Sequence, residues 1–127
     1  MRDNASDIGV ALIVAPAVLT ATNTSAAVDL RDFDAATLVI NTGVIAGAGN
    51  FTAKLQESDA SGSGFADVAA ANLIGTLPAV LEASTAYKQG YIGGKRYVRS
   101  VITLNSGTSI AAGAVIVKSH AAQKPVA

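Results

Sequence analysis

Cysteine is absent from the 127 residues, and with it go disulfides, thiolate metal sites and cysteine nucleophiles. A chain without thiols fits a reducing compartment. Tryptophan is absent too, and the aromatics amount to three Phe and three Tyr. The single histidine, His120, cannot form a multi-histidine metal site and has no cysteine to complete one. Ser and Asp are plentiful enough for a triad, but no G-x-S-x-G elbow marks a nucleophile. No catalytic residue, metal or cofactor is therefore expected, and the chain does not read as an enzyme.

Charge is scarce. Nine Lys and Arg face nine Asp and Glu, and charged residues make up 14% of the chain. Without a basic excess there is no surface to neutralise phosphates, so a nucleic-acid partner is not expected. The apolar run over residues 8–19 is too short, and too interrupted by Pro16, to cross a membrane. Ala15-Pro16-Ala17 imitates a signal-cleavage site, but Asp3 and Asp7 offset Arg2, so the positive leader region is missing. A strand is expected there instead, and no membrane association. The Asn-x-Ser/Thr triplets at Asn4, Asn23 and Asn50 are then chance matches.

Hydrophobic residues are abundant at 50%, but many of them are alanine, which buries little area. A core of small side chains predicts that part of the stability comes from neighbouring subunits. Low charge points the same way, since a lone molecule with so few charges is poorly protected against association. A homo-oligomer, dimer or trimer, is expected.

The length suits one domain, 1–127, with a short polar N-terminal arm (1–7) and a C-terminal tail (121–127). Between them lie short strand-like runs. Ile8, Val10, Leu12 and Val14 share one parity, and Pro16 either ends that strand or places it at an edge. Strands follow near 18–24, 26–30 and 36–42, with Phe33 as an anchor between them. Residues 51–57 alternate most cleanly, with Phe51, Ala53 and Leu55 facing inward. A small-residue loop (58–64) leads to a short return at 65–68. Helical turns are expected near 69–73 and from Pro78, and a last strand covers 110–119. Turn signals every 8–12 residues give an all-β, single-domain antiparallel β-sandwich, jelly-roll-like, of about eight strands.

The stretch 86–104 is read as the centre of that sandwich. Gly93-Gly94 separates two strand-like runs, and a Gly-Gly pair supplies the positive φ that a tight hairpin requires. The hairpin holds all three tyrosines and four basic residues. Tyr87, Tyr91, Lys95, Arg96, Tyr97 and Arg99 are the candidate protein-interface residues, because Tyr and Arg combine large area with a polar handle; the equal alternative is that the tyrosines cap the core and the basic residues solubilise an edge. Gly93-Gly94-Lys95-Arg96 is not a phosphate loop, since Gln89 and Arg96 stand where Gly and Ser/Thr are needed. Gly43, Gly47 and Gly49 lack dinucleotide spacing. Asp59, Ser61 and Ser63 echo a calcium loop, but Ala70 occupies the position of its bidentate Glu. Glu57 and Asp59 sit at a strand end and in a loop, a poor frame for acid–base work.

The segment F-T-A-K-L-Q-E-S-D-A-S-G-S-G-F-A-D-V, together with Y-I-G-G-K-R-Y-V-R-S-V-I-T and a closing A-V-I-V strand, resembles small all-β capsid decoration (cement) proteins of tailed bacteriophages. The resemblance spans residues 30–117, with Phe65 standing where a larger aromatic is expected. It implies a structural virion protein on the capsid exterior, assembled in the host cytoplasm, with the major capsid protein as partner and no catalytic residues. The alternative is a carbohydrate- or receptor-binding sandwich from a phage tail or fibre, for which three Tyr and no Trp offer few stacking platforms.

Overall fold

The computed structural model describes residues 3–122. In chain order the strands are β1 (Gly9–Leu19), β2 (Asn23–Thr24), β3 (Val28–Asp29), β4 (Phe33–Ala46), β5 (Asn50–Ser58), β6 (Ala66–Asp67), β7 (Leu73–Ile74), β8 (Ala86–Tyr91), β9 (Tyr97–Ser106) and β10 (Ser109–Ala121). They form two antiparallel sheets. The first, sheet A, has the order β1-β10-β4-β8-β7, and the second, sheet B, has β2-β9-β5-β6 with β3 also paired to β9. Strand pairing is nested: β1 joins β10, β2 joins β9, β4 joins β8 and β5 joins β6. Wrapping the chain from its ends inward in this way gives the all-β antiparallel sandwich that the turn spacing implies. β3 falls within the strand expected near 26–30, and β7 is a two-residue addition at the end of the expected helical turn.

The clean alternation of β5 survives intact, with Phe51, Ala53 and Leu55 buried. The short return at 65–68 is β6, which pairs with Gln56 and Glu57. The helical turn expected at 69–73 is a single 3-10 turn, Ala70–Asn72, and 75–85 is irregular. Of the arm and tail, residues 1–2 and 123–127 lie outside the described residues. Within them Ala5–Asp7 forms a 3-10 turn and Ala121 closes β10.

β1 is an edge strand that runs through Pro16, which an edge tolerates because the missing N–H faces away from the sheet. Register shifts between Leu12 and Val14 and between Val14 and Ala17 break its pairing. The expected shared face of Ile8, Val10, Leu12 and Val14 is split as a result. Val14 is buried, whereas Val10 and Leu12 each stand 63% exposed. Both parities of I-G-V-A-L-I-V are apolar, so only the bulge decides which parity turns inward.

The core between the sheets is built from Leu38 and Ile40 of β4, Phe51 of β5, Val98 and Ile102 of β9, Ile110 and Ile116 of β10, and Leu81. Ser100 of β9 lies fully buried among them. Its amide donates to Ser25 Oγ, but its own hydroxyl has no partner. An unpaired buried hydroxyl carries an uncompensated desolvation cost. Ser100→Ala is therefore expected to raise stability by about 1 kcal/mol and Tm by about 4 °C. A thermal melt checks this, and a lower Tm would mean that the hydroxyl is satisfied after all.

Candidate interaction surface

The expected hairpin does not form. β8 belongs to sheet A, paired with β4, and β9 belongs to sheet B, paired with β5, so residues 92–96 cross from one sheet to the other. Stacked sheets lie about 10 Å apart, a gap that a two-residue hairpin turn cannot bridge. Neither Gly93 nor Gly94 has a positive φ. Gly93 is required for space instead. A Cβ on it would lie 2.5 Å from the Tyr91 hydroxyl and 2.6 Å from its ring, whereas Gly94 has nothing within 4 Å.

The six residues nominated from sequence do not make one surface. Tyr91 is only 3% exposed and is part of the core. Its hydroxyl donates to Glu57 Oε1 at 2.7 Å and accepts from the Lys95 amide at 3.0 Å. Burial, then the bond to Glu57, pushes the phenol up to about 12. Tyr87 is half-buried, and its hydroxyl accepts the Glu82 amide at 2.8 Å.

The cations are engaged within the chain. Lys95 pairs with Asp59 at 2.8 Å, and hydrogen bonding to that carboxylate raises its pKa. Arg96 grips Asp29 of β3 with two bonds, from Nε at 2.9 Å and from the terminal nitrogen at 2.8 Å. That bidentate contact holds Asp29 down at about 2 and raises Arg96. The Arg96 guanidinium also lies 5.1 Å from the Tyr97 ring centroid. These bonds fasten the crossover to β3 and to the loop after β5.

Arg99 points to the outside of sheet B. There it donates to Gln56 Oε1 at 2.8 Å and covers the Phe65 ring at 4.2 Å. Gln56 Nε2 in turn donates to Asp67, which also pairs with Lys54 at 3.0 Å. The Gln56 bond, then Lys54, lowers the Asp67 pKa. With Thr24, Thr52 and Thr103, this network makes the outer face of sheet B polar and internally satisfied.

The crossover also bounds an open cleft of about 320 Å³ against the 30–36 segment. Of its three cations, Arg31, Lys95 and Arg96, the last two are already paired. Among the described residues no three His, Cys, Asp or Glu side chains gather as metal ligands.

The outer face of sheet A is different, and sequence reasoning passed over it. Cross-strand register places Val10 beside Val117 and Leu12 beside Val115. Val115 and Val117 lie beside Val39 and Thr37 of β4. Thr37 then neighbours Gly90, and Gly90 neighbours Ile74, which is 60% exposed. The one charged side chain set among these rows is Lys88, opposite Val39. Further along β10 the outward residues shrink to Gly113 and Ala111. A shallow trough forms there between Pro16 and Val18 on one side and Asn41 and Gly43 on the other. A Cβ on Gly113 would sit 3.1 Å from Pro16 and 3.3 Å from Asn41, so this glycine keeps the trough floor open. The legible signal was the unbroken apolar runs Leu38-Val39-Ile40 and Ala114-Val115-Ile116-Val117, which put hydrophobic side chains on both faces of one sheet. Contiguous exposed apolar area of this kind marks an interaction site on a soluble protein.

No family model matches the chain, and no curated protein matches it. Among solved structures it is similar to the SPBc2 prophage-derived protein YomS, at 17% identity and a TM-score of 0.55, over 89% of this chain and 94% of that one. It also overlaps the structure of infectious bursal disease virus Gt strain, at 14% identity and a TM-score of 0.45, over 94% of this chain and 33% of that one. What this chain has in common with YomS is the fold: an all-β antiparallel sandwich.

Proposed function

We propose that this chain is a structural virion protein that works by adhesion, specifically a decoration or cement protein on the exterior of a phage capsid. The observation that carries the reading is the chemical difference between its two outer faces. Sheet B presents polar side chains tied to one another, and sheet A presents a valine-rich surface with Lys88 as its charge. A surface of that kind is costly to leave in water and favourable to bury against protein. The fold shared with a prophage-derived protein and the sequence resemblance to decoration proteins support the same role. The major capsid protein is the partner, and the chain performs no catalysis.

Co-sedimentation with purified capsids of the phage that encodes the chain tests this. The full-length protein is expected to pellet with them and saturate at a fixed ratio to the major capsid subunit. A protein that stays in the supernatant at stoichiometric excess would overturn the decoration role.

A further inference from the structure

The geometry points to a second copy of this chain as the occupant of the apolar face of sheet A, packed face to face about a two-fold axis that crosses β10 at Ala114. The inference rests on the adhesive reading only for the choice of face. Its occupant is argued from the shape and charge of that face.

Shape comes first. Along the outward side of β10 the side chains run Val117, Val115, Gly113, Ala111, from bulky to small. Val10, Leu12 and Val39 widen the bulky end into a ridge, and Pro16 and Asn41 wall the small end into a trough. A two-fold axis perpendicular to the strands, lying outside the molecule above Ala114 and between the two facing A sheets, reverses this order in the second copy. The ridge of each copy then lies over the trough of the other, which satisfies the self-complementarity that an isologous contact demands.

Edge-to-edge pairing is the competing mode, and the edges are blunted against it. β1 carries Pro16 and two register shifts, and β7, β2 and β6 are two-residue strands.

Charge does not oppose the same operator. Rotation places Lys88, in the ridge row of β8, over the Ala86 row of β8 in the second copy, so the two symmetry-related lysines do not face each other. An in-plane axis along the strand would instead put the ridge over the ridge and leave both troughs empty.

The area sets the strength. Five strands about 4.8 Å apart and seven or eight residues at about 3.4 Å would give roughly 600 Å², and the shortness of β7, two residues, reduces the face to about 500 Å². Two such faces with side-chain relief come near the lower bound of about 1,200 Å² for a specific interface. The dimer is therefore expected to dissociate in the micromolar range.

Analytical ultracentrifugation of the full chain from low to high micromolar concentration, without capsids, tests this. The expected result is a concentration-dependent rise from the 12.6 kDa monomer to twice that mass. Val115→Asp is expected to stay monomeric throughout while keeping the wild-type β spectrum. Should that variant fail to fold, Leu12→Lys provides an independent reading, because Leu12 is 63% exposed on the ridge and its replacement leaves the core untouched. It is expected to keep the β spectrum and to weaken dimerisation at least about tenfold. A wild-type chain that remains monomeric at several hundred micromolar would overturn the inference, as would a Leu12→Lys chain that dimerises like the wild type. A dimer that does not pellet with capsids would leave this inference standing and remove the decoration role. A monomer that pellets would do the reverse, and would assign the face to the shell.

Discussion

Phe51→Ala is expected to destabilise the protein by about 4 kcal/mol and to lower Tm by about 15 °C. Phe51 is fully buried, and the other large side chains in the same state are aliphatic, such as Leu38, Ile40 and Ile116. None of these can swing into the space that a phenyl ring vacates, because each is held in its own strand register. The backbone adds to the effect. The Phe51 carbonyl accepts the amide of Leu81 at 2.9 Å, and Leu81 is the buried anchor of the irregular 75–85 segment. Loosening Phe51 therefore loosens the plug at that end of the sandwich. A domain with total stability of about 5–15 kcal/mol keeps little margin after such a loss. Val115→Ala, on the exposed side of sheet A, removes two methyl groups from a half-buried position and is expected to cost under about 1 kcal/mol in the monomer. Urea denaturation of the two variants checks the contrast. Equal losses would mean that the side facing the second sheet is not the principal core.

Gly93→Ala is the second substitution with a large expected effect, about 2–4 kcal/mol, as overpacking combined with a broken buried hydrogen bond. The new methyl group would occupy the place of the Tyr91 ring edge and hydroxyl, so the ring must leave. Leaving gives up the bonds to Glu57 and to the Lys95 amide, which fasten the crossover between the sheets. Gly94→Ala meets nothing and is expected to change stability by no more than about 1 kcal/mol, in the favourable direction if it acts through the unfolded chain.

The phenol itself reports the difference. Tyr91 is held up to about 12 in the folded protein, against an ordinary value of 10.0. Between those values the unfolded chain ionises while the folded one does not. The stabilising contribution is complete below pH 10 and is lost as pH rises toward 12. Spectrophotometric titration of tyrosinate is expected to show a late component that disappears in Tyr91→Phe and moves to lower pH in Gly93→Ala. A late component that survives Tyr91→Phe would assign it elsewhere.

The same pair of glycines shows where sequence reasoning reaches its limit. Gly93-Gly94 between two strand-like runs has the local signature of a hairpin, and nothing within ten residues contradicts it. A hairpin and an inter-sheet crossover differ in which distant strand each arm meets, β4 for β8 and β5 for β9. That choice follows from nesting the whole chain, and no local propensity encodes it. Where the six nominated side chains lie has a related reason. Tyr and Arg are the residues that favour contact surfaces, but here Tyr91 was drawn into the core and Arg96 and Arg99 were drawn onto Asp29 and Gln56.

The amino-acid pattern alone determined the class of the molecule: an all-β sandwich, the inward set of β5, Pro16 as either the end of a strand or an edge residue, and a core short of aromatic bulk. These follow from period-two alternation, turn residues and composition, which act over a few neighbouring positions. The tertiary structure decided which of two apolar faces turns outward on sheet A, and it decided that the crossover side chains satisfy one another. Both outcomes depend on a bulge in β1 and on pairings between residues as distant in the chain as Gly9 and Lys118, where solvent exposure is set by the partner strand and not by the residue itself.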